Sequence, residues 1–149
     1  MPVDKNKKPA LTFYAPEQRA DTALPLISHS ISAGFPSPAL DFMEYKIDLN
    51  QHLARNALST FYIKVAGSSM TDAGIDDGDL LVIDRSIEPA DGRIAICLID
   101  GEFTVKRLKL EVDCLYLMPE NTAYQPIKVT EENQLIIWAI VTYVVKRVG

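Results

Sequence analysis

The chain has 149 residues, 48% of them apolar and 23% charged, with a formal net charge of −5. That length suits one compact domain with a real core and a modest appendage. That net charge does not by itself suggest a DNA-binding surface, because phosphate contacts need clustered Lys and Arg. The longest apolar stretch, Leu135 to Val145, falls far short of the roughly 20 residues that span a bilayer.

The first 36 residues mix Lys, Pro, Ser and Ala with short apolar runs and sustain no period of 3.6 or 2. They read as a flexible N-terminal arm, residues 1–36, ahead of a β domain over 37–149. No signal peptide is visible in the arm. Within it, Ser30 to Pro38 sets small residues among prolines, each of which pushes its predecessor out of the helical region. Ala33-Gly34 therefore sits on exposed, extended backbone. Beyond Pro38, Ala39, Leu40, Met43 and Ile47 recur at near-helical spacing, and Asp48 can cap a short turn through Leu53.

From Phe61 the pattern turns to strands: 61–66, 79–84, 93–99, 102–110, 114–118 and 135–146. Asp100-Gly101 joins two of them and suits a tight hairpin with both central residues at positive φ. The expected fold is mainly β, antiparallel, with short helices early on. Cys97 and Cys114 lack a CxxC spacing and read as small apolar residues, in keeping with a reducing cytoplasm.

Gly67-Ser68-Ser69-Met70 follows a predicted strand, so a serine there stands on a rigid support beside backbone N–H groups that can hold an oxyanion. By itself this is a common turn composition. A serine nucleophile needs a base. The two histidines, His29 and His52, sit in no triad motif. Lys106 is the alternative, provided burial leaves its amine neutral, whereas Arg107 stays protonated. Alternation groups Lys106 with Thr104 and Leu108, and Arg107 with Phe103 and Val105, without telling which side is the core. Asp72, Asp76, Asp77 and Asp79 miss the spacing of a calcium loop, so no metal is expected. No Walker-type glycine loop is present, and no other cofactor is implied. Trp138 reads as core or interface.

Taken in order, Ala33-Gly34, Gly67-Ser68-Ser69-Met70, Asp77-Gly78-Asp79 and Gly101-Glu102-Phe103-Thr104-Val105-Lys106 resemble the signature of the LexA/UmuD family of self-cleaving Ser–Lys peptidases. The resemblance runs from about residue 25 to the end. It implies a LexA-like peptidase domain with Ser69 as nucleophile, Lys106 as base and Ala33-Gly34 as the bond cut. The backbone amides of Ser68 and Ser69 would form the oxyanion hole. Only 33 residues precede the bond, and they hold no paired helices of helix-turn-helix kind, so sequence-specific DNA binding is not expected. The UmuD-type branch then implies an SOS-response mutagenesis protein. It would be a homodimer, its cleavage stimulated by a RecA filament on single-stranded DNA, and its product would join a UmuC-like translesion DNA polymerase. The alternatives are a LexA-like regulator without its own DNA-binding domain, and a binding module with an idle dyad.

Overall fold

The computed structural model describes residues 12–16, 23–27, 33–35 and 44–149. Its strands are β1 (Thr12–Tyr14), β2 (Leu24–Ile27), β3 (Glu44–Ile47), β4 (Thr60–Lys64), β5 (Leu80–Asp84), β6 (Ile94–Ile99), β7 (Glu102–Leu110), β8 (Leu115–Met118), β9 (Ile127–Val129) and β10 (Leu135–Val145). Among the described residues, one helix, α1 (Leu49–Leu53), and a 3-10 turn at Thr71–Ala73 complete the elements. Eight strands form an antiparallel sheet in the order β1-β4-β5-β10-β6-β7-β8-β9, while β2 pairs with β3 in a separate two-stranded sheet. The mainly β, antiparallel reading matches this architecture.

Local chemistry places several boundaries. The Asp48 side chain accepts from the Asn50 and Gln51 backbone amides, which fixes the start of α1. Asp100 and Gly101 have φ of 48° and 81°, the left-handed pair that a two-residue hairpin between β6 and β7 requires. The expectation of helical spacing through Ile47 does not hold at its end. Ile47 pairs with Leu24 in β3, and residues 36–43 lie outside the described residues. Three or four apolar residues at mixed spacing cannot separate the two periods, and strand pairing decides. Strands also occur within the expected arm: Phe13 of β1 pairs with Ile63 of β4, and Leu26 of β2 with Tyr45 of β3.

The large sheet carries a core on each face. One cluster holds Ile63, Val65, Met70, Ile75, Leu81, Ile83, Ile96, Val105 and Ala139; the other holds Ala95, Cys97, Leu108, Leu117 and Ile140. Strand β10 runs between β5 and β6 and is irregular twice, at Val141/Tyr143 and at Ile137/Ala139. The second irregularity inserts Trp138 and inverts the alternation. Ile137 packs with the second cluster, whereas Ala139, two residues later, belongs to the first. A bulge re-aims side chains in this way, and here it turns Trp138 toward Phe13, Phe61 and Phe103. No helix among the described residues is long and apolar enough to cross a membrane.

Candidate active site

The loop after β4 begins with Gly67 at φ 101°, a left-handed backbone that a side chain would strain. Its amide donates to Asp77 Oδ1 at 2.8 Å. The Val65 amide donates to the Asp79 carbonyl, and the Gly78 amide to the Val65 carbonyl, so the Asp76–Asp79 turn grips the strand end from which Ser68 and Ser69 project. Asp79 is buried, and burial alone would raise its pKa. Its bonds to the Lys146 ammonium and the Asp76 amide outweigh that and hold it below the ordinary carboxylate value. Through these bonds the acidic residues of this turn hold the loop and the Lys146 ammonium.

Further grips come from the 119–124 loop. The Glu120 amide donates to the Ser69 carbonyl at 2.8 Å, and the Asp72 amide donates to the Glu120 carbonyl at 2.7 Å. Asn121 Nδ2 donates to the Ser68 carbonyl at 2.8 Å, and the Ser68 hydroxyl lies 3.0 Å from the Tyr124 hydroxyl. The Glu120 carboxylate accepts from Arg107, the residue next to Lys106.

Lys106 lies on β7 with 7% of its surface exposed. Its Nζ is 3.0 Å from Ser69 Oγ, 2.7 Å from Thr104 Oγ1 and 3.1 Å from the Val105 carbonyl oxygen. Burial lowers its pKa from the ordinary lysine value. The group that would oppose this is a Cys97 thiolate, but burial pushes that thiol up to about 11, so it stays neutral where the lysine titrates. A neutral amine has two N–H donors and one lone pair. As an ammonium, Nζ donates to all three oxygens; once neutral, with Thr104 Oγ1 and the Val105 carbonyl taking its two donors, it would leave its lone pair for the Ser69 hydroxyl. Val65, Gly67, Met70, Phe103, Thr104 and Val105 wall the cleft beside Ser69.

The structure thus brings Ser69 and Lys106 together and gives Ser68 to Tyr124 instead. Ala33 and Gly34 lie in an exposed bend, and among the described residues a Cβ on Gly34 would meet nothing within 4 Å, so this bond is not lodged in the cleft here. His52 is exposed on α1, and His29 lies outside the described residues. Sequence reasoning missed the roles of Thr104, Glu120, Asn121 and Tyr124. For Thr104 the signal was its place two residues before Lys106 on the same strand face; for the others no local pattern existed.

The sheet sets a serine on a tight loop beside a buried strand lysine, and the chain matches the family model described as Peptidase S24-like over residues 25–142. The chain belongs to that family, whose members include self-cleaving serine peptidases. It is 43% identical over 133 residues to Protein SamA of Salmonella typhimurium strain LT2, covering 89% of this chain and 92% of that protein. It is 40% identical over 123 residues to Protein MucA of Escherichia coli, covering 81% and 83%. The LexA repressor of Alcanivorax borkumensis is 42% identical over 117 residues, which span 78% of this chain but 56% of the repressor.

Proposed function

We propose that the chain is a self-processing switch in which Ser69 attacks the Ala33-Gly34 bond with Lys106 as its base. The supporting observation is the arrangement around Nζ: two acceptors, Thr104 Oγ1 and the Val105 carbonyl, and the Ser69 hydroxyl at 3.0 Å. In the proposed step the Ser69 proton passes to Lys106 and Oγ bonds to the Ala33 carbonyl carbon. The Gly34 amine leaves with that proton, and water then hydrolyses the acyl ester at Ala33. The Gly67 amide is already bonded to Asp77, which fits an oxyanion hole built from the Ser68 and Ser69 amides, each worth on the order of 3 kcal/mol in comparable sites.

The exposed bend at Ala33-Gly34 means that the bond must be delivered to the cleft before it is cut. Withholding that pose withholds cleavage, because an intramolecular reaction is fast once aligned. We infer that a RecA filament on single-stranded DNA favours the docked pose. The shortened homodimer then serves a UmuC-like translesion polymerase in SOS mutagenesis. Likeness to Protein SamA and Protein MucA across most of their length supports this branch over a repressor.

The test incubates purified chain with RecA, single-stranded DNA and a nucleoside triphosphate, with each component omitted in turn. Shortening that needs all three supports the reading. Equal shortening without RecA, or none with it, contradicts the RecA step. Co-purification of the shortened chain with a translesion polymerase tests the partner.

A further inference from the structure

Phe13 lies upstream of the proposed cut, yet it sits among aromatic rings of the main sheet. Its ring meets Phe103 at 5.1 Å and Trp138 at 4.9 Å, both edge-on, and Trp138 in turn meets Phe61 at 5.5 Å. Around it, Thr12, Phe13 and Tyr14 pair with Lys64, Ile63 and Tyr62, completing the otherwise open edge of β4. Phe103 also walls the Ser69 cleft. The contact is small. Only three residues pair, and Tyr14 is half exposed. Among the described residues, the other strand upstream of the cut, β2, pairs only with β3 in a two-stranded sheet with Leu24 and Leu26 exposed, an arrangement of marginal stability.

We propose that the β4 edge and the Phe61–Phe103–Trp138 cradle form a strand-docking site for an extended peptide with a central aromatic side chain, filled in the intact chain by residues 12–14 and vacated after the arm is cut. An exposed sheet edge supplies main-chain hydrogen bonds, and a pocket for alternate side chains supplies specificity. While covalently joined, β1 faces its site at an effective concentration on the order of millimolar, enough to fill a weak site. Cutting between Ala33 and Gly34 removes that advantage from β1 and from β2 together. At micromolar protein the segment leaves, and the edge opens to an extended, aromatic-bearing segment of a partner protein. The vacating step rests on the self-cleavage reading; the docking site does not.

Trp138 is the chain's single tryptophan and reports the cradle directly. The test uses the full chain with Ser69→Ala, which removes cleavage, and adds Phe13→Ala. Its emission should shift to longer wavelength. A synthetic peptide of residues 9–17, which contains no tryptophan, should reverse the shift with half-saturation near millimolar. The same peptide with Phe13→Ala should do nothing at several times that concentration. An unchanged emission in the variant, or failure of the unmodified peptide to reverse it, overturns the proposal. If Phe13→Ala unfolds the chain, as circular dichroism would show, Phe13→Leu carries the same test. Success here with no Gly34 terminus from the unmutated chain would sink only the cleavage reading.

Discussion

Arg107 binds the carboxylate of Glu120, and the Glu120 backbone amide holds the Ser69 carbonyl. The strand that carries Lys106 is thereby tied, through the next residue along, to the backbone of Ser69 itself. Both side chains of the ion pair are about one-third exposed, so its worth to stability is small, below about 1 kcal/mol. Its effect on alignment is larger, because a misplacement near 1 Å can cost about a hundredfold in rate. Arg107→Ala should slow self-cleavage roughly tenfold or more while thermal unfolding moves by only a few degrees. Cleavage time courses and melting curves on the same preparation check both halves.

Lys106 gives a pH dependence with a definite sign. Its pKa is lowered by burial, so its free-base fraction rises as pH climbs through a value below the ordinary 10.5. Cleavage without RecA should accelerate from neutral into alkaline pH and level off once the amine is neutral. Lys106→Arg should stay inactive throughout, since a guanidinium keeps its proton. The linkage runs the same way. The unfolded chain holds this proton to higher pH than the folded one, so stability rises with pH between the two values. Lys106→Met should stabilise the fold at neutral pH, with the gain vanishing toward alkaline pH. Chemical denaturation at two pH values measures it.

Thr104 is expected to aim the lysine. Its Oγ1 takes one N–H of Nζ at 2.7 Å, so Thr104→Val leaves that donor unmet and the lone pair free to rotate away from Ser69. The cleavage rate should fall about tenfold, comparable to one lost hydrogen bond of about 1.4 kcal/mol. Thr104→Ser should restore most of it. A purely packing role would show the reverse, with valine tolerated and serine costly.

Asp79 sets the acid limit of the loop. Its pKa is held down by Lys146 and the Asp76 amide against the pull of burial, so its contribution is present above the ordinary carboxylate value. That contribution is lost as pH falls through the depressed folded value. Asp79→Asn should cost about 1–2 kcal/mol at neutral pH and flatten the acid side of the stability profile. Melting temperature against pH for both chains tests the sign.

Much of this is legible in the sequence. Strands 102–110 and 135–146 were readable from length and apolar density, and Asp100-Gly101 announced its hairpin because few other pairs accept φ of 48° and 81°. The face of β7 that bears the lysine was not legible, for a physical reason. Val105 and Lys106 are both buried, since the sheet has a core on each side, and alternation separates faces only when one is wet. Strands of three residues such as β1 and β9 fall below what a period can reveal. Thr12-Phe13-Tyr14 did carry a compositional hint, three residues that favour strands, lost among the prolines and lysines of the arm. The pairing of Ser69 rather than Ser68 with Lys106 depended on loop contacts from Glu120 and Tyr124, more than 50 residues away.

Intact-mass analysis of the purified chain after alkaline incubation tests the central claim most directly. The account predicts two fragments, one ending at Ala33 and one beginning at Gly34, from the unmutated chain and neither from Ser69→Ala or Lys106→Ala. A Gly34 terminus from either variant, or an unmutated chain that stays whole, would contradict it.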